Sequence, residues 1–220
     1  CEYPDNGDYS LSFDGVDDYI SGFGTSLDVS DENRLTFFAK INPNLPQNFP
    51  NGTIFTHTAD DSAQNQYSVR LSPDGKLYFV TGGSIGSPGS FEDDGVTNLG
   101  TITLNESELH SIAITYDGET LKFYVNGSLG YQNIINDYFS SDYIGNFFIG
   151  KQGTNSAFYN GKVKQLAVWD RALSQEELAL ISNDEIIHET NLLGYWKFNS
   201  GTGDILYDHS GNQNHGTIHG

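Results

Sequence analysis

Residues 110–127 read HSIAITYDGETLKFYVNG, and this stretch decides the fold class. Apolar residues alternate with polar ones up to Asp117-Gly118, alternate again beyond it, and stop at Asn126-Gly127. An Asp-Gly pair between two alternating runs is a strong β-hairpin signal. Alternation with a period of two gives each strand one buried face and one wet face, as in an antiparallel sheet. The stretch therefore predicts an antiparallel hairpin that covers a core.

The alternating pattern extends over most of the chain. A second hairpin is predicted between Gln66 and Val80, with Pro73-Asp74-Gly75 as its turn. Further strands are predicted at 9–13, 17–21, 34–41, 52–57, 99–104, 145–150, 162–169 and 193–199. Long stretches without alternation are predicted as loops at 42–51, 82–98 and 130–144. Loops of this length in a compact domain are often functional.

One short helix is predicted at 174–182. Ser174 can cap its first turn and Glu177 can bond back to the cap, which is a capping box. Leu173 and Leu178 can form the hydrophobic staple that accompanies such a box. With this one exception the elements are strands, so the sequence predicts an all-β protein built from two antiparallel sheets.

Composition limits the function. The length of 220 residues suits one large β-sandwich, and no Pro/Gly/Ser-rich linker divides the chain. The formal charge of −19 opposes binding to nucleic acid and unaided binding to polyanionic glycans. Two interpretations of the acidity stay open. It is a solubilising surface, or part of it holds Ca²⁺, which prefers oxygen ligands.

The single cysteine, Cys1, excludes an internal disulfide. No apolar run approaches the roughly 18 residues of a membrane span. A cysteine at the first position, followed by the polar residues 2–8, suggests an acylated bacterial lipoprotein. We therefore expect lipid attachment at Cys1, with 1–8 as a tether and a location at the cell surface or outside the cell. The alternative is that Cys1 comes first only because of where the chain was cut.

Several motifs resemble the laminin-G-like family of concanavalin A-like domains in bacterial surface or secreted proteins. They are SFDGVDDYI at 12–20, LHSIAITYDG at 109–118, KFYVNG at 122–127, FYNGKV at 158–163 and WDRALS at 169–174. Leu109 stands where the family usually has Trp. The resemblance implies a two-sheet jelly-roll sandwich that forms one domain over 9–220. It also implies a function in binding rather than in catalysis.

The chain departs from the family pattern at two places. Lys164, followed by Gln165, occupies the position of a usual acidic residue, which puts the role of that carboxylate in doubt. The segment 194–218 resembles the strand and loop that commonly open a family domain, although here it closes one. We therefore expect a permuted order, in which residues 190–200 of the C-terminal segment 190–220 fill the strand position that usually precedes residue 9.

Two groups of oxygen donors are candidate calcium ligands. The first is a cluster of carboxylates in the opening motif, and the second is a loop near the end of the chain with short donors around Gly211. The candidates are Asp14, Asp17, Asp18, Asp208, Asn212 and Asn214. The alternative for both groups is a turn held by Asx hydrogen bonds. Related jelly rolls often bind a structural Ca²⁺ near their chain ends, which favours a structural calcium ion in this domain.

Aromatic residues on the predicted loops are the candidate ligand-binding residues, because stacking on a sugar ring needs an exposed flat face. They are Tyr131, Tyr138, Phe139, Tyr143, Phe91 and Phe49. The predicted core-strand residues Trp169 and Trp196 are assigned to packing. His57, His110, His188, His209, His215 and His219 show no zinc-site spacing.

No catalytic residue is assigned, because enzymatic signatures are missing. The sequence has no acidic triplet of the jelly-roll glucanase type and no strand that offers two carboxylates by alternation. The first hypothesis is a non-catalytic module that binds a glycan, expected to be neutral, with a structural calcium ion. The second is an adhesion or scaffolding domain with protein partners and no glycan site. The third is a glycan-active hydrolase or lyase.

Overall fold

A computed structural model describes residues 9–23, 27, 34–47, 52–58, 65–81, 102–134, 146–153, 157–183 and 190–220. These residues form two antiparallel sheets of seven strands each. They also form one helix, α1 (Gln175–Ser182). The all-β fold with one short helix is confirmed, and two stacked antiparallel sheets are the arrangement of a jelly-roll sandwich.

The first sheet, sheet A, contains β1 (Leu11–Asp14), β3 (Leu35–Pro43), β7 (His110–Tyr116), β8 (Thr120–Val125), β9 (Ser128–Ile134), β11 (Asn160–Trp169) and β12 (Leu192–Trp196). Its strand order is β1-β11-β3-β7-β8-β9, and β12 also pairs with β11. β1 pairs with residues 160–163 of β11 and β12 with residues 166–169. The two short strands therefore lie end to end along one edge of β11.

The second sheet, sheet B, contains β2 (Tyr19–Ser21), β4 (Gly52–Thr58), β5 (Asn65–Leu71), β6 (Leu77–Thr81), β10 (Asn146–Ile149), β13 (Ile205–Leu206) and β14 (Gly216–His219). Its strand order is β13-β14-β2-β10-β4-β5-β6. The chain after residue 190 thus supplies β12 to sheet A and β13 and β14 to sheet B, so the expected C-terminal strand is present. The permuted order relative to the family stays a prediction.

Aromatic side chains fill the space between the sheets. Phe37 of sheet A stacks on Phe55 of sheet B, with ring centroids 4.7 Å apart and planes 3° apart. Trp196 of sheet A stacks on Phe147 of sheet B at 5.7 Å. All four side chains belong to one buried cluster. Offset and edge-on aromatic pairs add specific attraction to the burial of their area, so these contacts fix the two sheets against each other.

Helix α1 covers part of the outer face of sheet A. Its capping box is confirmed, because Ser174 Oγ accepts from the amide of Glu177, and Glu177 Oε2 accepts from the amide of Ser174. Arg171 donates two hydrogen bonds to the same carboxylate, at 2.7 and 3.2 Å. Leu173 and Leu178, the predicted staple, are both buried in a second cluster on this face.

Several boundaries differ from prediction by a few residues: β3 extends to Pro43, β2 begins at Tyr19 and β12 ends at Trp196, while β13 and β14 were not predicted. Two further differences concern whole elements. The strand predicted at 99–104 is wrong over the described residues 102–104, where only Thr103 bridges to Lys76. The loop predicted at 130–144 is wrong at its start, because β9 extends to Ile134. Alternation in β9 is weak since most of its side chains are exposed, so the sequence carries little sign of the strand.

The loop between β13 and β14 is held by a buried carboxylate. Asp208 is fully buried. Its Oδ1 accepts from the amides of Tyr195 and Ser210, at 2.9 and 2.8 Å. Its Oδ2 accepts from Ser210 Oγ and from the amide of Asn214, at 2.7 and 3.0 Å. Four donors use the acceptor sites of an ionised carboxylate.

The prediction that Asp208, Asn212 and Asn214 bind a metal is therefore corrected. Asp208 has its acceptor sites occupied by protein donors. The side-chain amides of Asn212 and Asn214 donate to the carbonyl of Leu193, at 3.0 and 2.8 Å. Asn212 donates also to the carbonyl of Leu192 at 2.8 Å. The loop is an Asx-type turn that ties the C-terminal segment to β12.

Replacing Trp196 by Ala should lower the free energy of unfolding by about 3–5 kcal/mol, because the side chain is fully buried between the sheets. Its indole Nε1 also donates to the carbonyl of Asn214 at 2.8 Å. Urea denaturation measures the change. Ile205→Ala serves as control, because Ile205 is 44% exposed and should change stability little. Equal effects of the two changes would contradict the assignment of Trp196 to the core.

Replacing Asp208 by Asn should lower the free energy of unfolding by about 2–4 kcal/mol, because one acceptor oxygen becomes a donor that faces two other donors. Denaturation in excess chelator and in millimolar calcium provides the measurement. We expect the same loss in both solutions. A variant as stable as the parent in chelator, but weaker only in calcium, would restore the metal interpretation of this loop.

Candidate functional site

Charge is unevenly distributed between the strands and the rest of the chain. The sequence has 29 acidic residues, but Asp14 is the only one within the strands of the described structure. The same strands contain basic residues at positions 40, 70, 122, 162 and 164. The faces of both sheets are thus neutral or basic in a chain whose net charge is −19. The electrostatic field close to the strands therefore differs from the field that the net charge of the whole molecule would produce.

The outer face of sheet B is polar and aromatic. Ile20, Phe55 and Val69 point into the core, so their neighbours along each strand point outward. The register aligns these outward positions across the sheet. They include Tyr19, Ser21, Thr56, Ser68, Arg70, Phe148, Thr217 and His219. The exposed Ile205 lies opposite Thr217 at the edge of this set, whereas sheet A buries an apolar cluster under α1.

Tyr19 is the centre of a group of contacts on this face. The His219 ring stacks on it, with centroids 4.4 Å apart and planes 13° apart. Lys151 Nζ lies 3.7 Å from the centroid of the Tyr19 ring and 4.6 Å from that of Phe148, which are cation–π distances. His219 Nε2 and Ser21 Oγ are 2.9 Å apart and share a hydrogen bond. We call these five residues the Tyr19 cluster.

The Tyr19 cluster depends on the pairing of three strands. Tyr19 lies opposite His219 because β2 pairs with β14, and β2 pairs with β10, the strand of Phe148. Tyr19 and His219 are half-buried, so a ligand can reach their edges. Phe148 and Lys151 are buried beneath them. Rings backed by buried side chains are held in place, which favours preorganised binding.

Further polar groups continue the face beyond Phe148. Arg70 is 4% exposed, and its Nε donates to Ser68 Oγ at 3.0 Å. Ser68 lies opposite Thr56, and Thr56 lies opposite Phe148. Thr56, Ser68 and Arg70 are all buried, so this part of the face lies beneath the surface and supports the accessible residues around Tyr19. The half-buried Tyr19, Ser21 and His219 can contact a hydroxylated ligand, and the described strands of sheet B contain no carboxylate.

The acidic turn between β1 and β2 adjoins the Tyr19 cluster, because Asp18 immediately precedes Tyr19. One oxygen from each of Asp14, Asp17 and Asp18 lies within 4.8 Å of the others. Two oxygens that bind one Ca²⁺ lie at most about 5 Å apart, so this donor set fits the ion. The amide of Val16 donates to Asp14 at 2.7 Å and lowers the pKa of that carboxyl group. Asp14 is therefore ionised at neutral pH.

The same turn is also held by hydrogen bonds within itself. The amide of Asp17 donates to Asp14 Oδ1 at 3.3 Å, and the amide of Asp14 donates to Asp18 Oδ2 at 2.8 Å. These are the Asx contacts of a tight turn. Both interpretations of the three carboxylates are thus compatible with the geometry, and calcium binding stays a prediction.

One predicted ligand-binding aromatic falls within the described structure. Tyr131 lies in β9, is partly buried against the core and meets Phe123 edge-on at 6.1 Å. Its assignment to an exposed loop is wrong, because β9 extends the sheet through this position and turns the ring inward. The other candidates, together with the lipid-attachment candidate, lie outside the described residues; they are Phe49, Phe91, Tyr138, Phe139, Tyr143 and Cys1.

Sequence reasoning missed the Tyr19 cluster. The alternation of Tyr19 and Ser21 with buried Ile20 marks their outward face, so this part of the cluster was accessible to prediction. The contact between Ser21 and His219 spans 198 positions along the chain, and only the pairing of β2 with β14 brings the two together. No local pattern contains that information.

In the described part of the chain, no helix has the length and apolarity to cross a membrane. A comparison with curated proteins gives no match. Several solved structures share the fold. A candidate carbohydrate-binding protein from Bacteroides ovatus has a TM-score of 0.67 and 19% identity, and the alignment covers 96% of this chain. This chain spans only 58% of the length of that protein.

Two further solved structures have lower similarity. Domain 4 of an extracellular GH43 arabinanase from Geobacillus stearothermophilus, in complex with arabinotriose, has a TM-score of 0.57 and 14% identity, with 80% of this chain and 79% of that chain covered. A heptameric SAP-like pentraxin from Limulus polyphemus has a TM-score of 0.54 and 19% identity, with 79% and 81% covered. At these identities the likeness shows a common fold.

A family model matches residues 14–179, which is most of the chain. Its description agrees with the stacked sheets and with the resemblance of the motifs at 12–20, 109–118 and 169–174. The chain belongs to the concanavalin A-like lectin/glucanases superfamily, in its laminin-G-like branch.

Proposed function

We propose that this protein is a non-catalytic carbohydrate-binding module that binds a neutral glycan on the outer face of sheet B. The observation that carries the proposal is the composition of that face. Its accessible part presents the half-buried Tyr19, Ser21 and His219 and the exposed Thr217, and none of the strands of sheet B contains Asp or Glu. The candidate carbohydrate-binding protein from Bacteroides ovatus, which shares the fold, supports the same class of ligand.

The chemistry of a sugar matches this face. A pyranose ring has an apolar C–H side that packs on aromatic rings and hydroxyl groups that need hydrogen-bond partners. His219 and Lys151 cover the two faces of the Tyr19 ring, so the half-buried His219 ring supplies the aromatic contact, and Ser21 and Thr217 stand beside it on the paired strands. The whole chain carries −19, which disfavours long polyanions, so a neutral glycan is the proposed ligand here.

The absence of carboxylates from the strands of sheet B supports binding over hydrolysis. Glycosidases that use two carboxylates need them about 5–10 Å apart on either side of the scissile bond. Asp14, the only acidic residue in the described strands, lies in sheet A. Purified protein should therefore release no reducing sugar from any glycan that it binds.

The proposal includes a structural calcium ion at Asp14, Asp17 and Asp18, and a location at the cell surface or outside the cell. Ca²⁺ in the acidic turn would fix the chain directly before Tyr19 and so hold the ring of the Tyr19 cluster in place. Support comes from the chemistry and spacing of the three carboxylates. The location rests on the sequence alone.

A second candidate function, adhesion to a protein, is favoured by the edge strand β9. This strand contains no charged residue, and Leu129 and Ile134 on it are 42% and 60% exposed. Natural proteins usually protect an exposed sheet edge with charge, because its backbone groups can pair with another strand. Among the described strands, an edge strand without charged side chains fits partner binding by strand addition. A domain of this kind would give no signal on a glycan array.

Replacing His219 by Ala should weaken binding to a neutral glycan about tenfold, since a lost ring contact and hydrogen bond together are worth roughly 1.5 kcal/mol. A glycan array identifies the ligand, and calorimetry measures the affinity. Tyr9→Ala is the control, because Tyr9 is an exposed aromatic residue outside sheet B. Unchanged affinity in His219→Ala, or turnover of the glycan by the parent protein, would refute the proposal.

Calcium should raise the melting temperature, because an ion that binds only the folded state stabilises it by about 2.7 kcal/mol at 100 times Kd. Asp17→Asn should remove this dependence. Glu119→Gln, which removes one charge from another exposed turn, should keep it. Equal melting temperatures of the parent in chelator and in millimolar calcium, with no metal found by elemental analysis, would eliminate the calcium site.

A further inference from the structure

The outward side of β14 continues beyond the Tyr19 cluster. A Cβ at Gly216 would collide with core side chains, and Ile218 packs against the core. His215, which immediately precedes β14, therefore points outward together with Thr217 and His219. Alternate residues of a strand lie about 7 Å apart, so His215 and His219 are separated by about 13 Å. A single sugar ring cannot span this length, whereas a short oligosaccharide can.

A second pair of rings lies at the start of this segment. Tyr207 follows β13 directly, and its ring meets the His215 ring edge-on with centroids 5.5 Å apart. The His215 ring is fixed, because its Nδ1 accepts from the amide of Asp208 at 3.0 Å. Tyr207 and His215 are both half-buried, so part of each ring is accessible. This pair thus presents ring surface that a rigid loop holds in place, which favours preorganised binding.

Between the two ring pairs lies a row without aromatic residues. Ile205 of β13 lies opposite Thr217, and Thr217 lies opposite Ser21 of β2. Ile205 and Thr217 are exposed, and Ser21 is half-buried. The row therefore offers one apolar contact and two hydroxyl groups. We call the three rows together the β14 surface, which consists of Tyr207, His215, Ile205, Thr217, Ser21, Tyr19 and His219.

The β14 surface alternates in character along the strand. A ring pair lies at each end, and an aliphatic side chain with two hydroxyl groups lies between them. A pyranose has an apolar C–H side and hydroxyl groups that need partners, so each row suits one sugar ring. In a β-1,4-linked chain the rings follow each other in an extended line and can reach successive rows. None of the seven side chains has a carboxylate or an ammonium group, which favours an uncharged chain.

We propose that the β14 surface binds a linear, uncharged, β-1,4-linked oligosaccharide along β14, with at least three sugar rings in contact. The inference rests on the proposed function, because it assigns a ligand class and a length to the same neutral-glycan site. One end of the chain contacts His219, the middle ring lies over Ile205 and Thr217, and the other end contacts Tyr207 and His215. The last contact uses the surface of the two rings and requires no free hydrogen-bonding group on either.

The test measures how affinity depends on the length of the ligand. Calorimetry uses cello-, xylo- and manno-oligosaccharides of one to six units, which are three uncharged β-1,4-linked series. In at least one series the affinity should rise about tenfold or more from the disaccharide to the tetrasaccharide. It should then level off, because additional rings extend beyond the β14 surface. A series that binds with the same affinity at every length would overturn the inference and leave the proposed function intact.

Thr217→Arg tests whether the chain crosses the middle row. The residue is exposed, so the change should leave the fold intact, while the bulky side chain should weaken tetrasaccharide binding about tenfold. Thr103→Arg is the matched control, because it changes an exposed threonine beside β6, at the opposite edge of sheet B, and it should bind as the parent does. Parental affinity in Thr217→Arg would overturn the β14 surface.

Tyr207→Ala tests the far ring pair. It should weaken tetrasaccharide binding about tenfold and disaccharide binding much less, because the disaccharide reaches only the Tyr19 cluster and the middle row. Tyr207→Phe keeps the ring and should bind as the parent does. Equal losses for the two ligands in Tyr207→Ala would contradict the placement of the chain.

The outcomes separate this inference from the proposed function. Binding to other neutral glycans on an array, but to none of the three series, would overturn the β-1,4-linked ligand and leave the neutral-glycan site in place. No binding to any neutral glycan would refute the proposed function itself, and the inference with it.

Discussion

The burial of Trp196 between the sheets is the constraint on which the rest of the structure depends. Its ring meets Phe23 edge-on at 5.2 Å and stacks on Phe147, while its Nε1 bonds to the carbonyl of Asn214. The residue thus joins β12, sheet B and the loop before β14. Because Asp208 holds that loop with four hydrogen bonds, the position of β14 follows from these contacts. β14 in turn brings His219 to Tyr19.

This dependence explains why a buried carboxylate is tolerated in the core region. An ionised group away from water is costly unless its acceptor sites are filled. Asp208 receives two backbone amides from its own loop, one from β12 and one hydroxyl donor. These four hydrogen bonds offset the cost of burying the carboxylate, and they also fix the conformation of the loop. Packing of Trp196 and saturation of Asp208 are two parts of one structural unit.

The sequence predicts the fold to a large extent, because the dominant signals are local. Alternation around Asp117-Gly118 defines β7 and β8, and the capping box at Ser174 defines the start of α1. The errors arise where a local pattern is ambiguous. Asp208, Asn212 and Asn214 have the oxygen atoms that a calcium-binding loop needs. Only the folded structure shows that backbone amides donate hydrogen bonds to the carboxylate of Asp208.

The candidate site was less predictable than the fold, for a related reason. A binding face on a sandwich is assembled from strands that are distant in the chain, so its members share no motif. Tyr19 and Ser21 could be assigned to an outward face, but their partners Phe148, Lys151 and His219 come from two other segments. Tyr131 shows the reverse case. Its surroundings in the sequence resemble a loop, and its position is decided by pairing with β8.

Acidic residues lie in the turns and basic residues lie in the strands, and this difference affects how the protein interacts with a charged surface. Described turns at the strand ends carry carboxylates, among them Asp17, Asp74, Asp117 and Glu119, while the sheet faces carry lysine, arginine and histidine. Within the described residues, a negatively charged layer would therefore repel the turns at the strand ends more strongly than the strands between them.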